Sequence, residues 1–184
     1  ARYALEFDRE GTSSLAGPYR REAGTDEFAG VPPGEPMVSL ESILRTEELT
    51  RRPRRAPDYE TESRVLASLV QSLAGSAAAI LRVLAGKILE ALKADSAGVS
   101  LLAQDGRRFY WAAATGAWQP HIGEATPRDF GPCADVFERN TPLLFQHFER
   151  RYTYLQAITP PVEEGLLIPF YVEGKVVGAL WALS

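Results

Sequence analysis

Two strand–turn–strand patterns, separated by a long irregular stretch and preceded by two amphipathic helices, leave this chain few ways to fold. The first pattern pairs residues 97–103, small and branched, with residues 107–114, rich in aromatics, across Gln104-Asp105-Gly106. The second joins residues 166–171 to residues 176–183 through Val172-Glu173-Gly174-Lys175, whose glycine can take the positive φ of a tight turn. Runs of this kind pair locally, so both hairpins are expected in one antiparallel sheet, with residues 142–146 as a fifth short strand.

Upstream, Val65, Leu66, Leu69, Val70 and Leu73 recur at helical spacing. Gly75 and Ser76 interrupt the pattern, and Ser76 is placed to cap a second helix ending near Ala94. Ile80, Leu81, Leu84, Ile88, Leu89 and Leu92 form its expected buried stripe. The fold class is therefore α+β: an antiparallel sheet with helices on one face. The other face would be left to water unless something lies over it, and the only segment long enough is the excursion over residues 115–161. Within it, residues 133–139 have helical potential.

The chain divides near residue 61. Six of the thirteen prolines precede that point, and apolar residues there show no sustained period. Residues 1–61 read as a Pro/Gly-rich N-terminal tail or linker and residues 62–184 as the folded domain. The best-organised part of the tail is residues 37–50, where Val38, Ile43, Leu44 and Leu49 fit one side of a short docking helix starting near Ser39 or Ser42. The basic run Arg51, Arg52, Arg54 and Arg55 is broken by Pro53 and reads as solvated linker.

Composition removes several classes of function. A formal net charge of −4 gives no global basic field for nucleic acid. No apolar run approaches the ~20 residues of a membrane span. The start of the sequence lacks the pattern of a secretory signal, so a cytoplasmic location is expected. The one cysteine cannot form an internal disulfide.

Chemistry concentrates in the excursion. Trp118, Phe130, Cys133, Phe145, Tyr152 and Tyr154 are the candidate ligand-binding residues, because aromatics with polar tips are the usual lining of a small-molecule pocket. Trp111 and Phe170 lie on strands and are expected in the core. Cys133 follows Pro132 at the start of a helix, where unpaired N–H groups favour the thiolate, and it is expected near the pocket rim. Free cysteine is among the most buried residue types, so residue type by itself favours a small packing cysteine under the helix over redox or ligand contact. His121, His147 and Cys133 lack the paired spacing of a metal site, so none is expected. Glu163 and Glu164 point to opposite faces of a strand and cannot cooperate, and no catalytic motif is present, so a non-enzyme is expected.

Specific segments resemble GAF domains. Lys93-Ala94-Asp95-Ser96-Ala97-Gly98-Val99-Ser100 is similar to the GAF passage from core helix into first strand. Glu164-Gly165-Leu166-Leu167-Ile168-Pro169-Phe170 with Glu173-Gly174-Lys175-Val176-Val177-Gly178 is similar to the final hairpin. Arg128-Asp129-Phe130-Gly131-Pro132-Cys133, followed by Phe148-Glu149-Arg150-Arg151-Tyr152, resembles the GAF modules of bacterial sensor histidine kinases. The resemblance implies a sensory module that binds a small ligand or responds to redox state and controls a covalently attached output such as a histidine kinase. A homodimer formed through the helix around Leu66–Leu73 is expected with it. More distantly, the bilin-binding GAF domains of phytochromes and cyanobacteriochromes imply a tetrapyrrole tethered at Cys133, although Ala134 stands where many of them place histidine. A third reading is a dimerisation domain with no ligand.

Overall fold

The computed structural model describes residues 38–53, 56–72 and 74–184. The tail up to Met37, together with Arg54, Arg55 and Leu73, lies outside the described residues. In chain order the elements are α1 (Leu40–Ile43), α2 (Glu48–Arg51), α3 (Tyr59–Ser72), α4 (Ala77–Leu92), β1 (Ser96–Leu102), β2 (Arg108–Gly116), β3 (Ala125–Pro127), α5 (Pro132–Arg139), β4 (Leu143–Gln146), β5 (Glu164–Val172) and β6 (Lys175–Leu183). Short 3₁₀ turns occupy Gln119–His121, Phe148–Arg150 and Thr153–Ala157.

Both expected hairpins lie in one antiparallel sheet of order β3-β2-β1-β6-β5-β4. They meet along β1 and β6, from Ser96 opposite Leu183 to Leu101 opposite Gly178. The β5–β6 turn is closed by Glu173 and Gly174, both at positive φ (49° and 77°), the requirement of a two-residue type I′ turn. β3 escaped the sequence reading because three residues carry no readable period.

Side-chain alternation sorts the core into two layers. Val99, Leu101 and Ala113 face α4, where fully buried Ala85 forms their contact. The expected α4 stripe needs correction: Leu81 and Leu84 are only half-buried, and Leu92 in the last turn is 46% exposed. Close approach of a helix to a sheet favours the smallest side chain at the crossing point, and that is Ala85. Ser76 caps α4 by accepting from the Ala79 N–H at 3.2 Å.

The opposite face carries Phe109, Trp111, Leu167, Trp181 and Leu183, which pack into one cluster with Trp118, Cys133, Val136, Phe145, Phe148, Tyr152 and Leu155 of the excursion. The excursion thus covers the sheet face that the helices leave open. Central strand β1 is accordingly buried along almost its whole length.

Residues 38–53 join this second layer. In place of the single expected helix there are two short ones, because Leu44 between them is extended and bridges Phe145 at the β4 edge. The Arg45 N–H donates to the Leu144 carbonyl at 2.7 Å, and Thr46 Oγ1 accepts from the Leu144 N–H at 3.2 Å. Arg52 forks onto both carboxylate oxygens of Glu164 at 2.7 and 2.5 Å. Among the described residues, no helix is long and apolar enough to cross a membrane.

Candidate functional site

The interior between sheet and excursion is built on small residues of β1. Gly98 lies opposite Trp181 in the β1–β6 ladder, and with no Cβ beneath it the indole lies across β1 and donates from Nε1 to Ser100 Oγ at 3.0 Å. A register shift after Val99 sets Trp111 opposite Ser100. From the excursion, Trp118 is held by its own N–H on Ser96 Oγ and its Nε1 on the Pro160 carbonyl, both at 3.0 Å. The three indoles converge. Trp111 stacks on Trp118 with centroids 5.2 Å apart, and Trp181 meets them at 6.1 and 6.0 Å. They are all the tryptophans of the chain.

Beside this cluster a cavity of about 30 Å³ is lined by the three tryptophans together with Ser100, Thr126 and Cys133, among others, and by no charged side chain. That volume admits one or two waters. Thr126 is almost fully buried, and its Oγ1 has no partner at hydrogen-bond geometry, although the Cys133 thiol and Tyr154 hydroxyl lie near it.

Of the residues expected from sequence, Trp118 and Cys133 line the cavity. Phe130, Phe145, Tyr152 and Tyr154 form an adjoining aromatic group, with Phe130 and Tyr152 5.3 Å apart and Phe145 6.4 Å from Tyr152. The Tyr152 hydroxyl donates to Asp135, the Tyr154 hydroxyl donates to the Phe130 carbonyl at 3.1 Å, and Arg151 lies over the rings of Phe130 and Tyr152. Burial holds the Asp135 carboxyl above its ordinary range, and burial plus the Asp135 carboxylate raises the Tyr152 phenol. Trp181, Ser100 and Thr126 were missed. The inward alternation of Ala179, Trp181 and Leu183 was the available signal for Trp181. Glu164 is occupied by Arg52, while Glu163 is exposed.

Cys133 requires a correction. It does sit in the first turn of α5, after Pro132, but it is buried, 3% exposed, rather than at a rim. Burial pushes its thiol up to about 11, against the opposing pull of Ser100 and Thr126. Desolvation in an apolar layer outweighs the helix-end field. Alkylation of the folded protein at neutral pH is therefore expected to run more than about a hundredfold slower than that of an unperturbed cysteine and to recover on denaturation. Rapid labelling of native protein would contradict this placement.

His121 fastens the wall of the site. Its ring lies edge-on to Trp111 and Trp118, with Nδ1 2.7 Å from Glu124 Oε1 and Nε2 3.2 Å from the Thr159 carbonyl. A carboxylate and a carbonyl only accept, so both contacts are satisfied at once only by the doubly protonated ring. Partial burial works against that charge, but the bonds to Glu124 and Thr159 outweigh it and the pKa is raised above 6.5. A raised folded-state value stabilises fully below the unfolded value and is lost as pH rises through the folded one. The stability advantage of wild type over His121→Gln, at most about 1 kcal/mol for a partly exposed pair, should thus be largest below pH 6.5 and shrink above it. Urea melts of both proteins across that range provide the check, and a constant difference would refute the bracketed charge.

No protein-family model matches the sequence, and neither does a curated protein. Solved structures do. The GAF domain of a phosphoenolpyruvate-protein phosphotransferase (ptsP) from Coxiella burnetii aligns with a TM-score of 0.55 at 17% identity, over 70% of this chain and 80% of its own. That of the Acinetobacter phosphoenolpyruvate-protein phosphotransferase gives 0.54 at 18%, over 70% and 79%. The A. aeolicus nlh2 GAF domain in an inactive state gives 0.52 at 18%, over 68% and 80%. At such identities the likeness is one of fold, and the fold is that of GAF domains.

Proposed function

We propose that residues 62–184, with residues 38–53 packed against them, are a regulatory, non-catalytic sensory module that binds a small ligand beside the tryptophan cluster and controls an attached signalling output such as a histidine kinase. The observation that carries the reading is the excursion itself, which lays Trp118 and Cys133 over Trp111 and Trp181 and leaves a cavity and an unpartnered Thr126 hydroxyl between them. The cavity and the hydroxyl together give this apolar layer a space and a polar contact that a small molecule can use. Ligand binding is favoured over redox sensing, because a buried thiol pushed up to about 11 is a poor nucleophile. A tethered bilin does not fit these residues. The sulfur is buried, and the lining offers no cation for the pigment's carboxylates.

Because every tryptophan of the chain lies at the site, indole emission reports its occupancy. A ligand found in a metabolite screen at a hundred times its Kd should stabilise the fold by about 2.7 kcal/mol and shift that emission. A compound that raises Tm yet leaves the emission unchanged binds elsewhere and overturns the reading.

The module is also proposed to act as a homodimer. On α3, Leu66 and Val70 are 63% and 65% exposed, and Tyr59, seven residues before Leu66, is exposed as well, a spacing suited to helix pairing. Leu69 is half-buried and sits less favourably for pairing than expected from sequence. Leu66→Glu should convert a dimer into a monomer in sedimentation at high micromolar concentration. A monomeric wild type there removes this part of the proposal.

A further inference from the structure

We infer that the ligand of this site is a small, flat, uncharged molecule whose single hydroxyl or carbonyl is seated at Thr126, an inference that rests on the ligand-binding reading above. Charge is decided by the lining, which contains no ionisable group except the Cys133 thiol, and burial holds that neutral. Asp135 is engaged with Tyr152, and His121 with Glu124, while Glu149 and Arg151, each with one buried unpaired atom, do not line the cavity. An anion or cation placed here would lie unpaired in an apolar layer.

The shape of the ligand follows from the indoles, whose stacked and edge-on faces offer flat apolar surface. Their polar ends are largely committed elsewhere, Trp181 Nε1 to Ser100 and Trp118 Nε1 to the Pro160 carbonyl. Thr126 Oγ1 is the buried side-chain oxygen at the cavity that has no partner. A hydroxyl can donate and accept, so it matches either a hydroxyl or a carbonyl on the ligand. The cavity has room for one or two waters, and a larger ligand must displace part of its wall, such as Trp118, which is tied to the loop at Thr159–Pro160. Two side-chain bonds span that wall, from Trp118 to Pro160 and from His121 to Thr159.

The test titrates the full chain with phenol, toluene and benzoate at pH 7, reading tryptophan emission. Phenol should bind saturably and benzoate at least about a hundredfold more weakly, the consequence of burying an unpaired charge. Thr126→Val, which keeps the shape and removes the hydroxyl, should weaken phenol about tenfold and leave toluene unchanged. Should the valine variant fold poorly, Thr126→Ser retains the hydroxyl and should retain phenol affinity. Benzoate binding as tightly as phenol, or phenol affinity indifferent to loss of the hydroxyl, overturns the inference and leaves the sensory reading intact. No response to any of the three probes also overturns it, and the sensory reading then stands or falls on the metabolite screen.

Discussion

Replacing Gly98 with alanine is expected to destabilise the domain by more than about 3 kcal/mol and to dismantle the tryptophan cluster. A Cβ at this position would lie closer than 3.0 Å both to the Trp181 ring and to the backbone carbonyl of Ala113. A ring could swing aside, but the carbonyl belongs to the β1–β2 ladder and cannot move without breaking it. If Trp181 is driven off, its hydrogen bond to Ser100 is lost, and that serine stays buried. The variant should therefore show a large fall in its urea midpoint and loss of the near-ultraviolet signal of coupled indoles. Gly86→Ala is the control, since a Cβ there meets nothing within 4 Å. In the interior of α4 that change should stabilise by about 0.5–1 kcal/mol. If both variants behave alike, Gly98 is not the floor of the site.

The sheet was legible in the sequence for a definite reason. Its two hairpins declare themselves by local turn chemistry at Gly106 and Gly174, and their mutual pairing along β1 and β6 follows once one sheet must bury both apolar faces. The amphipathic helices were legible by period, but period alone says which side faces inward and not how closely. Ala85 is completely buried, whereas Leu92, on the expected stripe, is 46% exposed, because proximity to the sheet varies along the helix. β3 and the bridge at Leu44 left no trace, since three residues or one cannot establish an alternation.

The site was legible only in part. Trp118 and Cys133 were found by composition within the excursion, yet the partners that give them meaning come from strands distant in sequence. Ser100 and Trp181 meet across 81 positions, and that meeting depends on the absence of a side chain at Gly98. The field at a helix start pointed to an activated Cys133 thiol, but the effect is modest, and desolvation, invisible in sequence, carries the opposite sign and is larger. Phe130, Phe145, Tyr152 and Tyr154 followed the same compositional rule and lie one layer further from the cavity, because aromatic content does not distinguish lining from support.

Ile43→Ala is expected to cost about 2–5 kcal/mol, the range for removing a branched aliphatic side chain from a packed core. The sequence placed this residue on the apolar side of a short docking helix within the tail, without saying how deeply it is buried. In the structure Ile43 is 0% exposed and belongs to the cluster of Phe145, Phe148 and Tyr152. The Arg45 backbone N–H and the Thr46 hydroxyl fix its neighbours to β4, and Arg151 donates to the Val38 carbonyl at 3.1 Å from the excursion side. Loss of the side chain would leave a void between β4 and the aromatic group that flanks the candidate site, with little freedom for the wall to collapse into it. Leu49, 37% exposed on α2 in the same segment, is the comparison, and its truncation should stay within about 0.5 kcal/mol. Equilibrium urea unfolding of the two variants separates the cases. A cost below about 0.5 kcal/mol for Ile43→Ala would mean that residues 38–46 leave β4 in solution, since only a segment already detached could lose that side chain without penalty.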